Sequence, residues 1–93
     1  MDKVEASKIL LQELNQYRSR SQAELSYLLD NPDTFERTAR SGTVYQLEID
    51  AFWDDEPKRE LRVMGCIDDM GWSALSPLCD SFIIREDGSF VGE

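Results

Sequence analysis

There is no histidine anywhere in these 93 residues and there are only two cysteines, Cys66 and Cys79. The common Ser-His-Asp and Cys-His relays therefore lack the base that takes the nucleophile's proton. Zinc ribbons and fingers need closely spaced sets of Cys, His or acidic ligands, and two separated cysteines do not make one. Glycine is scarce, with five residues, and none stands in a Gly-rich strand-to-helix context; Asp87-Gly88-Ser89 reads as a turn, not a phosphate loop. Long apolar runs are missing too. Ile9-Leu10-Leu11 is interrupted by Gln12 and Glu13, far short of the ~18 residues expected of a membrane span. The expectation is a soluble, cytoplasmic protein with no membrane partner. In that setting the two cysteines are expected as reduced thiols, with a thiol switch only if they meet in space.

What the chain does have is acid, unevenly distributed. Residues 1–42 carry seven acids and six bases, net −1, whereas residues 43–93 carry twelve and four, net −8. Such a field repels nucleic acid and attracts basic surfaces. Arg18, Arg20, Arg37 and Arg40 lie in the nearly neutral half, so they make no basic footprint and are read as balancing charge. With 41% hydrophobic and 10% aromatic residues the chain can bury a modest core despite its net charge of −9, and its length suits a single domain over 1–93.

Periodicity divides the chain at the same place as charge. Asp2 with Glu5 resembles a capping box, and Val4, Leu10, Leu11, Leu14 and Tyr17 follow at helical spacing, predicting a helix over about 3–18. Ser21 with Glu24 repeats the start signal for a short helix carrying Leu25, Leu28 and Leu29 until Asn31-Pro32. Asn31 is then expected to cap a third helical turn that brings Phe35 inward, ending at Ser41-Gly42. From Thr43 the period is two. Tyr45, Leu47, Ile49, Ala51 and Trp53 form one face of a strand, and a turn at Asp54-Asp55-Glu56-Pro57 leads to a second strand through Leu61, Val63 and Ile67. A long connection from Asp68 to Asp80 precedes a third strand at Phe82-Ile83-Ile84, which Asp87-Gly88 turns into Phe90-Val91. The expected fold is α+β: two or three N-terminal helices packed on one face of an antiparallel sheet of three to four strands. An irregular β-barrel with a helical appendage is the alternative.

The candidate binding residues are Asp68, Asp69, Asp80, Asp54 and Asp55, with Trp72 as an aromatic anchor. Acids in turns are ordinarily solvated, and Trp72 has the competing role of capping the core with Leu75 and Leu78. A second candidate is the outer sheet face, where Val44, Phe52, Met64 and Cys66, extended by Ile83, interrupt a polar alternation; such a strip would be covered by the long connection, a partner or a second copy. The leading expectation is a non-enzymatic interaction module for a basic protein, with a size and charge shared by small immunity and inhibitor proteins. That is an analogy of composition only. The alternatives are a carboxylate-based metal-binding or hydrolytic domain using Asp68, Asp69 and Asp80, and a homodimer formed through the outer face. No cofactor and no resident metal are assigned, and no EF-hand pattern is present.

Overall fold

The computed structural model describes residues 1–71 and 75–93. Helix α1 spans Lys3–Tyr17, and the Asp2 carboxylate caps it by accepting the Glu5 N–H at 3.1 Å. Its buried stripe is Ala6, Leu10, Leu14 and Tyr17, at spacings of four, four and three residues, the repeat of one helical face. Val4 and Leu11 were expected on that stripe but are 69% and 47% exposed. They are seven residues apart and so share a line with each other, about 100° around the helix from Leu10. Helix α2, Gln22–Leu25, begins with a complete capping box between Ser21 and Glu24 and runs into a 3₁₀ turn at Ser26–Leu29, burying Leu25 and Leu28.

The segment expected to form a third helical turn is instead a strand. Strand β1, Asp33–Thr38, pairs antiparallel with β2, Val44–Trp53. Asp33, Phe35 and Arg37 point to the helix side. Two of these three are charged, and each charge is matched: the Tyr17 hydroxyl donates to Asp33 at 2.6 Å, and Arg37 Nε donates to the buried Glu13 at 2.6 Å. The period of two is thus carried by polar partners, not by apolar residues.

Strands β3, Glu60–Asp68, and β4, Leu78–Arg85, complete an open antiparallel sheet in the order β1-β2-β3-β4. The fold is therefore α+β, with two helices and a four-stranded sheet among the described residues in place of a barrel. Strand β4 begins at Leu78, inside the expected long connection, so Cys79, Asp80 and Ser81 are ladder residues. A turn beyond Arg85 brings Phe90 back to bridge Ile84.

One core fills the space between helices and sheet: Leu10, Leu14, Leu25 and Leu28 join Tyr45, Leu47, Ile49, Leu61, Val63, Ile67, Phe82 and Ile84. Gly65 determines how closely α1 can approach. A Cβ placed there would lie 2.9 Å from both Leu10 Cδ1 and Ile49 Cδ1. The helix fits over β3 because that position has no side chain. Gln22 ties the helical segment to the sheet, its amide donating to the Arg59 carbonyl at 2.7 Å and the Ile84 carbonyl at 3.0 Å.

The cysteines also depart from expectation. Cys66 and Cys79 stand directly opposite each other in β3 and β4, with Cα atoms 4.1 Å apart, and are joined by a disulfide. Thirteen positions separate them in sequence, and the antiparallel register closes that distance, which no spacing rule could have shown.

Candidate functional site

The helices and the core occupy one side of the sheet. The residues pointing to the other side are fixed by register: Thr34, Glu36 and Thr38 on β1; Val44, Gln46, Glu48, Asp50 and Phe52 on β2; the even-numbered residues 60–68 on β3; and Cys79, Ser81, Ile83 and Arg85 on β4. No described helix packs against this side. It carries five carboxylates (Glu36, Glu48, Asp50, Glu60, Asp68) and two guanidiniums (Arg62, Arg85).

The cations on this face are engaged. Arg62 spans the strands, its Nε donating to Asp54 at 2.8 Å and its Nη1 to the Ser81 hydroxyl at 2.7 Å. Arg85 donates to Ser89 at 3.2 Å. Around Arg62 lies a small apolar group, with Phe52 and Ile83 on either side of it in register and Met64 in the next row, between Asp50 and Ser81. Phe52 is 43% exposed. Further along, the row Thr34–Glu48–Cys66–Cys79 crosses all four strands. Beside it a depression of about 240 Å³ is lined by Gln46, Glu48, Cys66, Asp68 and Pro77.

The acids singled out in the sequence do not form one cluster. Asp68 ends β3 on the open face opposite Gln46, and its Oδ1 accepts the Met70 N–H at 2.7 Å. Asp69 lies 3.7 Å from the Met1 ammonium, and its Oδ1 accepts the Gly71 N–H at 3.2 Å. Asp80 is an exposed residue opposite Gly65, on the helix side of β4. Asp54 and Asp55 are at the other end of β3. Asp55 accepts the N–H groups of Arg59 and Glu60 at 2.9 and 2.8 Å, which shapes the β2–β3 turn. From Glu60 to Asp68 the strand runs about 26 Å at its usual rise. Among the described residues no group of three or more His, Cys, Asp or Glu is placed to hold a metal ion. Trp72 lies outside the described residues; of its two expected companions, Leu75 is 80% exposed and Leu78 packs partly buried against the core.

The four residues proposed for an apolar face share the open side. Met64 adjoins both Phe52 and Cys66, which are two rows apart, whereas Val44 stands opposite Thr38 at the far end of β2. The contribution of β1, chiefly Glu36 and Thr34, was hidden by the helical reading of that segment. Glu48 and Asp50 were legible as outward positions of the clearest strand; Glu48 is exposed and Asp50 half-buried.

Two tyrosines join helix to sheet beneath this surface. Burial, reinforced by the neighbouring Glu5 carboxylate, pushes the Tyr45 phenol up to about 12, and its hydroxyl donates to Glu5 at 2.8 Å. Tyr17 is shifted in the same direction, first by burial and then by its bond to Asp33. Both phenols hold their protons as structural donors. No helix among the described residues is long and apolar enough to cross a membrane. The chain matches no family model, no curated protein and no solved structure.

Proposed function

We propose that the chain is a non-enzymatic interaction module that uses the outer sheet face, away from the helices, to dock a basic protein partner. The observation that supports this reading is the composition of that face: five carboxylates against two engaged guanidiniums, around a small apolar centre of Phe52, Met64 and Ile83. Apolar area at the centre supplies contact energy, and the surrounding charge speeds capture and selects a partner of opposite sign. The carboxylates at the strand ends, Asp68 at one and Asp54 and Asp55 at the other, form its rim, whereas Asp69 turns toward the Met1 ammonium. Glu13, the one buried carboxylate among the described residues, is paired with Arg37 and so has a structural task. A second copy presenting the same face would meet it with like charge, which favours a heterologous partner over a face-to-face homodimer. A cytoplasmic site of action remains part of the proposal.

The test is affinity capture with the intact chain at ~50 mM and ~500 mM salt, since surface pairing weakens as the Debye length shortens. The expected partner is basic, is lost at high salt, and is lost by a Glu48→Gln/Asp50→Asn variant. Replacement of Phe52 by Ser weakens capture at both salt concentrations. Partners indifferent to salt and to all three substitutions would show that this face is not the docking surface. Sedimentation at ~100 μM, a concentration that populates even modest micromolar dimers, is expected to give a monomer.

A further inference from the structure

The Cys66–Cys79 disulfide occupies an unusual position for a structural crosslink. It lies outside the core, on the open face, with Cys79 exposed and Cys66 half-buried. The strands it joins are already paired over eight register positions, and every residue of the core cluster lies elsewhere. The fold therefore has other means of holding β3 to β4, and Cys79, the more exposed of the two, is the partner that an incoming thiolate would attack.

The charges around it are of one sign. Glu48 is directly opposite Cys66 on β2, a position that places Cβ atoms about 5 Å apart. Asp68 is the next same-side residue along β3, Asp50 is diagonal on β2, and Asp80 adjoins Cys79 in sequence. The cations of this face lie elsewhere. Arg62 is two rows away and bound to Asp54 and Ser81, and Arg85 is at the far end of β4. Arg62 reaches the adjacent row at Ser81, but its charge is matched by Asp54, so an approaching thiol meets a predominantly negative field.

We infer that Cys66–Cys79 is a reversible redox site whose exchange partner is a positively charged thiol, the surrounding carboxylates excluding anionic thiols. This goes beyond the docking proposal and does not depend on it. In the exchange, the thiolate of the cationic thiol attacks Cys79 Sγ. The bond between the two protein sulfurs breaks, and Cys66 leaves as a thiolate that takes a proton from water. A second molecule of the same thiol attacks its own sulfur in the mixed disulfide and releases Cys79, which is protonated in turn. Two thiols are oxidised to one small disulfide, and the protein gains two electrons and two protons. The reverse sequence, with the cationic disulfide as oxidant, restores the crosslink.

The experiment uses the oxidised full chain and measures its reduction by cysteamine, 2-mercaptoethanol and 2-mercaptoethanesulfonate at equal thiolate concentration, with free thiols trapped by alkylation and counted by mass. At ~20 mM salt the cationic thiol is expected to react about tenfold faster than the anionic one, within the range that charge focusing gives association rates. At ~1 M salt, where the Debye length is about 3 Å, the three rates should converge. Glu48→Gln/Asp68→Asn should narrow the low-salt difference, and circular dichroism taken alongside should stay native throughout. Rates independent of thiol charge would overturn the inference. So would a disulfide that is reduced only when the chain is unfolded, or two thiols that cystamine fails to oxidise. The docking proposal is read by partner capture, so either result can fail without the other.

Discussion

Arg18, just past the end of α1, and Glu93, 75 positions later, form an ion pair in which one guanidinium nitrogen lies 2.7 and 2.9 Å from the two carboxylate oxygens. The same guanidinium stands 4.8 Å from the ring centre of Phe82 and 4.7 Å from that of Phe90. The two rings meet edge to face, 5.6 Å apart. The ion pair is partly exposed and so contributes little, whereas the cation stacked on two rings contributes more. Arg18→Ala should cost about 1–2 kcal/mol in urea unfolding. Glu93→Gln should cost no more than ~0.5 kcal/mol. Arg18→Lys should lie between them, because an ammonium keeps the charge and loses the planar stack. Equal losses for Arg18→Ala and Glu93→Gln would contradict this division.

Gly65→Ala should destabilise the chain by about 1–3 kcal/mol, the usual cost of overpacking, since the added methyl meets Leu10 and Ile49 at 2.9 Å. Leu10→Ala alone should cost about 2–5 kcal/mol. In the double variant the new methyl enters space vacated by Leu10, so the combined loss should fall short of the sum by more than the ~0.5 kcal/mol expected of independent sites. Denaturation of the four proteins closes the cycle.

Alkaline pH should weaken the fold through Tyr45. Its phenol is raised from the usual 10 to about 12, mainly by burial and then by its bond to Glu5. A raised folded-state value means that the folded chain holds the proton more tightly than the unfolded chain does. The contribution is therefore complete below pH 10 and is lost as pH rises through about 12. Tyr45→Phe should remove this part of the alkaline loss, at a cost near neutrality of about 1.5–3 kcal/mol for a hydrogen bond to a charged acceptor. Stability against pH for the two proteins, with phenolate absorbance as the titration readout, tests both statements.

Replacing both cysteines by serine should leave the native circular dichroism in place. The closed segment is short, with partners thirteen positions apart, and loop-closure arguments assign about 3 kcal/mol to a crosslink of that size. A lower urea midpoint with unchanged helix and sheet signals is the expected result. Loss of the fold would mean that β3 and β4 need the crosslink to pair.

The elements that were legible in the sequence are those whose period is written in apolar residues. Strand β2 shows it most plainly, because Tyr45, Leu47, Ile49 and Ala51 all enter the core. The capping box of Ser21 and Glu24 was equally readable, being local chemistry complete within four residues. Strand β1 was not, because Asp33 and Arg37 take inward positions that only Tyr17 and Glu13, sixteen and twenty-four positions earlier, make tolerable. The start of β4 was hidden for a related reason: Asp80 and Ser81 resemble turn residues, yet they stand opposite Gly65 and Met64 in a regular ladder. For the candidate surface, the outward acids of β2 could be read, but the meeting of Cys66 with Cys79 depends on a register formed by two strands together.

The strand order β1-β2-β3-β4 has a kinetic meaning. Each strand pairs with its neighbour in sequence, so the sheet can grow hairpin by hairpin without first closing a long loop. The contacts that span the chain, Leu10 over Gly65 and Arg18 with Glu93, can form only after that growth has prepared their partners. Docking of the N-terminal helix is then expected late in folding, so changes along its buried stripe should act mainly on the unfolding rate.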